Sequence, residues 1–236
     1  MKYKLDVNVN HFDKFGYKLF GYPALLSHLG YLHLKDTDQS FGVLLENRYA
    51  WVIISMKLHF NKRINEPTNF DGYTWYAGRK GPYFRREYEI TSDTHKIVGS
   101  SYSILFDFET NSIYRKRDFP FSLLEEKEKF LLDLSPSFKE NIDLKEIDRQ
   151  VVKNSHIDGL GHTNHLKYLE FIYDSLDEDL INEVYKYNTL ELFFQNEMLL
   201  GDEFSINIGH LDNKTVFQIF NITKDKISFT LVCSNE

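Results

Sequence analysis

The chain has 236 residues, which is enough for one large domain or for two small ones of ~100–150 residues. Its formal net charge of −7 argues against a general nucleic-acid binder, and its 42% of hydrophobic residues is ordinary for a globular protein. The aromatic share of 16% is high, and it fits either a sheet-rich core or an interior that houses an apolar ligand.

The sequence has one cysteine, Cys233, which lies in an apolar stretch near the C-terminus. One cysteine cannot build a disulfide framework, so we expect a reducing compartment and a buried strand position for this residue. No apolar run approaches the ~20 residues that a membrane span needs, and the first residues lack a signal-peptide core. These features predict a cytoplasmic protein without a membrane span.

Residues 1–117 combine one helical pattern with several strand patterns. Leucines at helical spacing predict a helix over residues 22–34. Alternating or β-rich runs predict strands at residues 3–9, 48–60, 70–77, 85–91 and 96–108. We therefore expect one helix followed by antiparallel strands, forming a first domain that ends at residue 117.

The composition changes at Asp118, where a charged segment begins. Residues 123–134 are charged with a helical pattern, and prolines punctuate the segment. This composition predicts a linker over residues 118–147 that packs on the outside of the molecule.

The arrangement of the first domain recurs in residues 148–236. A strand is predicted at 146–153, a helix at 164–176, and further strands at 188–196, 203–211, 215–222 and 226–233. A local echo supports the repetition, because a histidine, an aspartate and a glycine of His11–Tyr17 recur at constant spacing in His156–His162. The shared order of elements favours an ancient duplication, in which Tyr17 would occupy the place of His162.

The sharpest candidate for chemistry is the segment from Asp158 to Asn164, which contains two glycines. A helix that begins near His162 would direct free N–H groups at the oxygen of a polarised carbonyl. Asp158 and His162 would then orient or activate water. The same residues also fit a purely structural helix start, in which Asp158 or Asn164 caps backbone donors, and the pattern by itself does not decide between the two.

Residues 158–164 read Asp-x-x-Gly-His-x-Asn, which resembles the signature of hot-dog-fold thioesterases. Over residues 3–233 the chain is similar to the acyl-acyl-carrier-protein (acyl-ACP) thioesterases of the plant and bacterial type, and residues 51–58, 70–75 and 82–90 resemble strands of that family. The resemblance implies an α+β fold of two tandem hot-dog repeats, each a long central helix wrapped by an antiparallel β-sheet. It also implies an acyl-chain pocket in the first repeat and a catalytic second repeat.

The resemblance places the catalytic groups on Asp158, His162 and Glu197. The backbone at Gly161, together with that of His162, is expected to bind the oxyanion, and Asn164 to contact the substrate. The implied reaction is hydrolysis of fatty acyl-ACP, which releases free fatty acid and ends fatty acid biosynthesis.

One position departs from the family, because Leu160 stands where the family has a catalytic asparagine. Losing a side-chain donor of this kind costs on the order of 10²–10³ in rate, so a slow enzyme is expected if other groups carry the reaction. Leu160 therefore leaves open a non-catalytic acyl-binding protein. A separate alternative changes the carrier, giving an acyl-coenzyme A thioesterase of the same fold.

His156, His162 and His165 superficially suggest a metal site, but they lack cysteine partners and His162 has another explanation, so we expect no metal. No organic cofactor is expected either. The expected partner is the acidic acyl carrier protein, which basic clusters at residues 62–63, 79–80, 85–86 and 115–117 could contact. Those clusters equally fit solvated strand edges. No nucleic acid is expected as a partner, and a monomer or a homodimer is expected.

Overall fold

The computed structural model describes residues 2–116, 118–122 and 127–235. It divides into two compact units, each described here by itself. The first unit comprises Met1–Tyr17 and Gly21–Pro136, and the second comprises Lys18–Phe20 and Ser137–Glu236.

The first unit is an antiparallel sheet with one long helix. Its strands are β1 (Lys2–Val7), β2 (Phe12–Asp13), β3 (Gly16–Tyr17), β4 (Tyr49–Phe60), β5 (Thr68–Lys80), β6 (Tyr83–Thr91), β7 (Lys96–Asp107) and β8 (Ser112–Ile113), and its helices are α1 (Gly21–Lys35) and α2 (Phe41–Glu46). The sheet order is β1-β5-β6-β7-β4, with β8 on β7, while β2 and β3 form a small separate pair.

Helix α1 packs closely against the sheet through its leucines. Leu26 and Leu29 are fully buried, and glycines in the strands receive them. A Cβ atom on Gly99 would lie 2.2 Å from Leu26 Cδ2, so any larger residue there would displace the Leu26 side chain. Among the described residues no helix is long and apolar enough to cross a membrane.

The second unit repeats the plan with shorter helices. Its strands are β9 (Lys145–Val151), β10 (Thr189–Phe194), β11 (Glu203–Leu211), β12 (Lys214–Asn221) and β13 (Lys226–Ser234), and its helices are α3 (Lys167–Asp174) and α4 (Glu178–Val184). The antiparallel order is β10-β13-β12-β11-β9. Phe204, Phe217 and Phe229 are fully buried in its core, and Cys233 is buried in β13 as predicted.

The α+β fold of two similar repeats is confirmed, but the helix predicted over residues 164–176 needs correction. The helix expected over residues 164–176 is shorter, since α3 begins at Lys167, and no helix starts near His162. The Asn164 side chain accepts the Leu166 N–H at 3.0 Å, which holds this stretch in a turn. The helix therefore begins after Leu166.

The charged segment also differs from its prediction. Residues 127–134 are not helical, and residues 123–126 lie outside the described part of the chain. The Lys127 N–H donates to Tyr76 O at 3.0 Å, and Trp75 Nε1 donates to Lys129 O at 3.0 Å, so contacts with β5 hold the segment extended. The chain divides between the units after Pro136, and β9 already begins at Lys145.

Candidate active site

Asp158 closes the loop that leads to His162. Its Oδ1 accepts the N–H groups of Leu160 at 2.8 Å and of His162 at 3.4 Å, and its own carbonyl accepts the Gly161 N–H at 3.1 Å. Gly161 has φ +84°, a left-handed conformation that favours glycine. Asp158 therefore shapes the loop, and the N–H groups of Gly161 and His162 donate within it.

The same construction occurs in the first repeat. His11 Nδ1 accepts a backbone N–H three residues earlier at 3.0 Å, as His156 Nδ1 does at 2.9 Å. Asp13 Oδ1 accepts the N–H two residues later at 2.8 Å, as Asp158 does, and Gly16 has φ +116°. The recurring histidine and aspartate thus have a structural reason in both repeats, and each loop contains a glycine in the left-handed conformation.

Backbone hydrogen bonds establish which residues of the two repeats are equivalent. The Tyr17 N–H donates to Ile64 O at 3.4 Å, and the Thr163 N–H donates to Met198 O at 2.9 Å. Tyr17 therefore corresponds to Thr163, and its predicted equivalence with His162 is wrong. The second loop is one residue longer, which a constant sequence offset cannot reveal.

The first repeat lacks the two side chains that meet in the second. Gly16 precedes Tyr17 and stands at the place of His162, while Arg63 stands at the place of Glu197. The Arg63 guanidinium lies 5.1 Å from the ring centre of Phe60, in a cation–π contact. No histidine–carboxylate pair forms at this place in the first unit, as far as its described residues show.

His162 and Glu197 meet at the surface of the second unit. His162 Nε2 lies 3.3 Å from Glu197 Oε2, and the two side chains are 39% and 57% exposed. Thr163 Oγ1 donates to Met198 O at 2.9 Å, which fastens the two loops beside the pair. The arrangement presents a histidine and a carboxylate to water, where they can exchange a proton with it.

Lys224, which no sequence pattern indicated, places a positive charge beside the pair of His162 and Glu197. Lys224 Nζ lies 3.9 Å from Glu197 Oε1 and 3.6 Å from Asp202 Oδ2. Asp202 is largely buried and also accepts the Leu199 N–H at 2.9 Å and Asn221 Nδ2 at 2.8 Å. Lys224 lies in the turn between β12 and β13, far from the motif in sequence, and no pattern marked it.

Asn164 does not join the pair. Its N–H donates to His156 O at 2.8 Å and its Oδ1 accepts from Leu166, so its contacts hold the turn before α3. Leu160 carries no polar side-chain atom. A substrate contact of Asn164 stays a prediction.

Two residues that follow the motif, His165 and Tyr168, have pKa values shifted by burial. Tyr168 is buried at the start of α3, and its hydroxyl bonds to the Met198 backbone; burial raises the pKa of Tyr168. Burial lowers the pKa of His165 to about 4, and its ring lies 6.1 Å from that of Phe194. His165 is therefore neutral at pH 7 and has no charge to offer a substrate.

Within residues 2–116, 118–122 and 127–235, no cluster of three or more His, Cys, Asp or Glu side chains is placed to hold a metal ion. A cavity of about 500 Å³ lies between β9 and α3, and Arg149, Lys167 and Asp174 are among its lining residues. Neither His162 nor Glu197 lines it.

Known proteins resemble both the second repeat in sequence and the whole chain in fold. Residues 139–232 match the family model of the acyl-ACP thioesterase C-terminal domain. No curated protein sequence matches the chain. An acyl-ACP thioesterase from Bacteroides thetaiotaomicron superposes with a TM-score of 0.83 at 17% identity, covering 100% of this chain and 97% of that one.

A 12:0-ACP thioesterase from Umbellularia californica superposes with a TM-score of 0.73 at 10% identity, covering 99% of this chain and 96% of that one. At such identities the solved structures establish the fold alone, and the family model matches residues 139–232 alone. Residues 139–232 thus resemble the C-terminal domain of acyl-ACP thioesterases, and the chain as a whole has the fold of these solved acyl-ACP thioesterases.

Proposed function

We propose that the protein hydrolyses fatty acyl thioesters of acyl carrier protein, releasing free fatty acid as the step that ends fatty acid biosynthesis. The observation that carries this proposal is the contact between His162 Nε2 and Glu197 Oε2 at 3.3 Å. Both residues lie within the domain that matches the thioesterase family.

Glu197, His162 and Asp158 have different roles in the proposed reaction. A water molecule attacks the thioester carbonyl carbon, Glu197 accepts its proton, and the carbonyl π electrons move to oxygen. The tetrahedral centre then collapses, the C–S bond breaks, and the leaving sulfur takes the proton from Glu197. His162 orients the Glu197 carboxylate, and Asp158 acts as a positioning residue because it fixes the loop that carries His162.

The carrier is the finer part of the proposal. An acidic carrier protein needs a basic face on the enzyme. Arg85 is unsuited to this, since its guanidinium pairs with the buried Glu87 at 2.5 Å and is only 13% exposed. Other basic residues of the first unit are exposed, namely Lys62, Lys80, Arg115 and Lys116.

Separate His162→Ala and Glu197→Ala variants test the proposed pair. Because general acid–base groups contribute about 10²–10⁴ in rate, each variant should lose about 100-fold or more in thioester hydrolysis, measured by release of free thiol. The second unit offers a matched control in His210, whose Nδ1 lies 3.7 Å from Glu183 Oε1. His210→Ala should leave the rate unchanged, and full activity in both site variants would refute the assignment.

A second candidate function is acyl binding without hydrolysis. It is favoured by Leu160, which offers no donor, and by the N–H groups of Gly161 and His162, which are used within the loop. A protein of this kind would bind a palmitoyl thioester tightly and release no free thiol.

A further inference from the structure

The proposed reaction develops negative charge on the carbonyl oxygen, and the loop offers little to stabilise it. The N–H groups of Gly161 and His162 donate to Asp158, and the Leu160 side chain is apolar. Stabilising an oxyanion requires preorganised donors or a positive charge close to that oxygen. A cation close to the pair of His162 and Glu197 would supply this stabilisation if the pair hydrolyses a thioester.

Lys224 is a cation held in place beside the pair. Its backbone N–H donates to Asn221 Oδ1 at 3.1 Å, and its ammonium lies 3.6 Å from the largely buried Asp202. Asp202 is itself fixed, because it accepts the Leu199 N–H and Asn221 Nδ2. The lysine is thus restrained at both ends, and its side chain keeps 30% exposure.

Lys224 and His162 lie beside different oxygens of the Glu197 carboxylate. His162 Nε2 is 3.3 Å from Oε2 of Glu197, whereas Lys224 Nζ is 3.9 Å from Oε1. A water molecule that donates to Glu197 therefore has the ammonium beside it. Unit charges about 4 Å apart interact appreciably even near a solvated surface, so this cation acts on any charge that forms there.

We propose that Lys224 is a further catalytic residue, whose ammonium stabilises the negative charge on the thioester carbonyl oxygen while water adds to the carbon. This inference rests on the proposed hydrolase function. The electron pair that moves to oxygen during attack is balanced by the Lys224 charge and returns to the carbon when the C–S bond breaks. Lys224 neither gains nor loses a proton in this step.

The test compares Lys224→Met with Lys224→Arg by steady-state hydrolysis of a palmitoyl thioester. Losing the charge should lower kcat about 10- to 100-fold, somewhat less than for a sequestered oxyanion donor, and should leave KM within about threefold. Lys224→Arg keeps the charge and should retain most of kcat. Lys226→Met is the matched control, because Lys226 is an exposed lysine near the same turn.

Two results would overturn the inference. One is unchanged kcat in Lys224→Met, and the other is a rise in KM alone, which would indicate uniform binding. Circular dichroism of each variant checks folding, and Lys224→Gln provides a second neutral replacement if Lys224→Met does not fold. The proposed function fails separately, through an inactive wild-type protein or through fully active His162→Ala and Glu197→Ala variants.

A double-mutant cycle checks the role of Asp202 in holding the cation. In an Asp202→Asn background Lys224 loses the carboxylate that restrains it. Lys224→Met should therefore lower kcat by a smaller factor in that background than in the wild-type protein. Equal factors in both backgrounds would contradict a cation fixed by Asp202.

Discussion

At the scale of single residues, the chemistry of the site depends on which polar atoms are already occupied. Asp158 carries a carboxylate in the middle of the motif, yet its Oδ1 accepts two backbone N–H groups of its own loop. His162 and Lys224 each lie beside the Glu197 carboxylate, and all three side chains remain partly exposed. The motif therefore supplies both the loop and one member of the pair, and the other charged groups come from distant turns.

His165 makes the stability of the second unit depend on pH. Burial lowers the pKa of His165 to about 4, whereas an unfolded histidine titrates near ~6.5. Below ~6.5 the unfolded chain therefore binds a proton that the folded chain binds only below about 4, and stability falls as the pH falls through this window. At pH 5 the loss from this residue should be about 2 kcal/mol.

The measurement is urea unfolding at pH 7.5 and at pH 5 for the wild-type protein and for His165→Phe. The variant should lose less free energy of unfolding between the two pH values, whatever its stability at pH 7.5. His210→Ala changes an exposed histidine and should retain the wild-type difference. An unaltered difference in His165→Phe would show that this group does not set the pH dependence.

At the scale of elements, the strands and the limits of α1 were predictable, whereas the limits of α3 were not. Strand periodicity is local, so each predicted strand is present with ends shifted by a few residues. The start of α3 depends on the Asn164 side chain and on contacts from Tyr168 to Met198, which lie far apart in sequence. For the same reason the spacing found His162, but could not show that Lys224 would lie beside Glu197.

The charged segment shows tertiary contacts overriding helix propensity. Glu87 Oε2 accepts the Leu131 N–H at 3.1 Å, and Arg85 Nη2 donates to Leu132 O at 2.5 Å. These bonds and those to Trp75 use backbone groups that a helix would need for itself. A helical pattern in the sequence does not reveal these hydrogen bonds, because their partners lie far away along the chain.

Among the polar residues that attach the charged segment to the sheet, Glu87 should contribute most to the free energy of unfolding. Its side chain is fully buried, pairs with Arg85 at 2.5 Å and accepts from Ser100 Oγ at 2.5 Å. Glu87→Ala leaves Arg85 without its carboxylate, and should cost about 3–5 kcal/mol of unfolding free energy. Chemical denaturation measures the loss.

Glu89 provides the control on the same strand. Its partner Lys96 lies at 3.2 Å and is 57% exposed, so Glu89→Ala should cost less than about 1 kcal/mol. Equal losses in the two variants would contradict a special role of the buried carboxylate.

At the scale of the whole molecule, two units share one plan and differ in the side chains that matter for chemistry. Both have a tyrosine one residue after the start of the helix, and Tyr22 and Tyr168 each bond to the backbone of the loop after the strand that follows, at Ile64 and Met198. Only the second unit places a histidine beside a carboxylate at this point, among the residues described. We propose that the first unit instead forms the acyl-chain pocket.

The most direct test of the account is release of free thiol by the wild-type protein from palmitoyl-acyl carrier protein, compared with palmitoyl-coenzyme A at equal concentration. We expect hydrolysis of both thioesters, with a higher kcat/KM for the carrier-protein substrate that the exposed basic residues of the first unit attract. Thioester binding without release of thiol from either substrate would contradict the account.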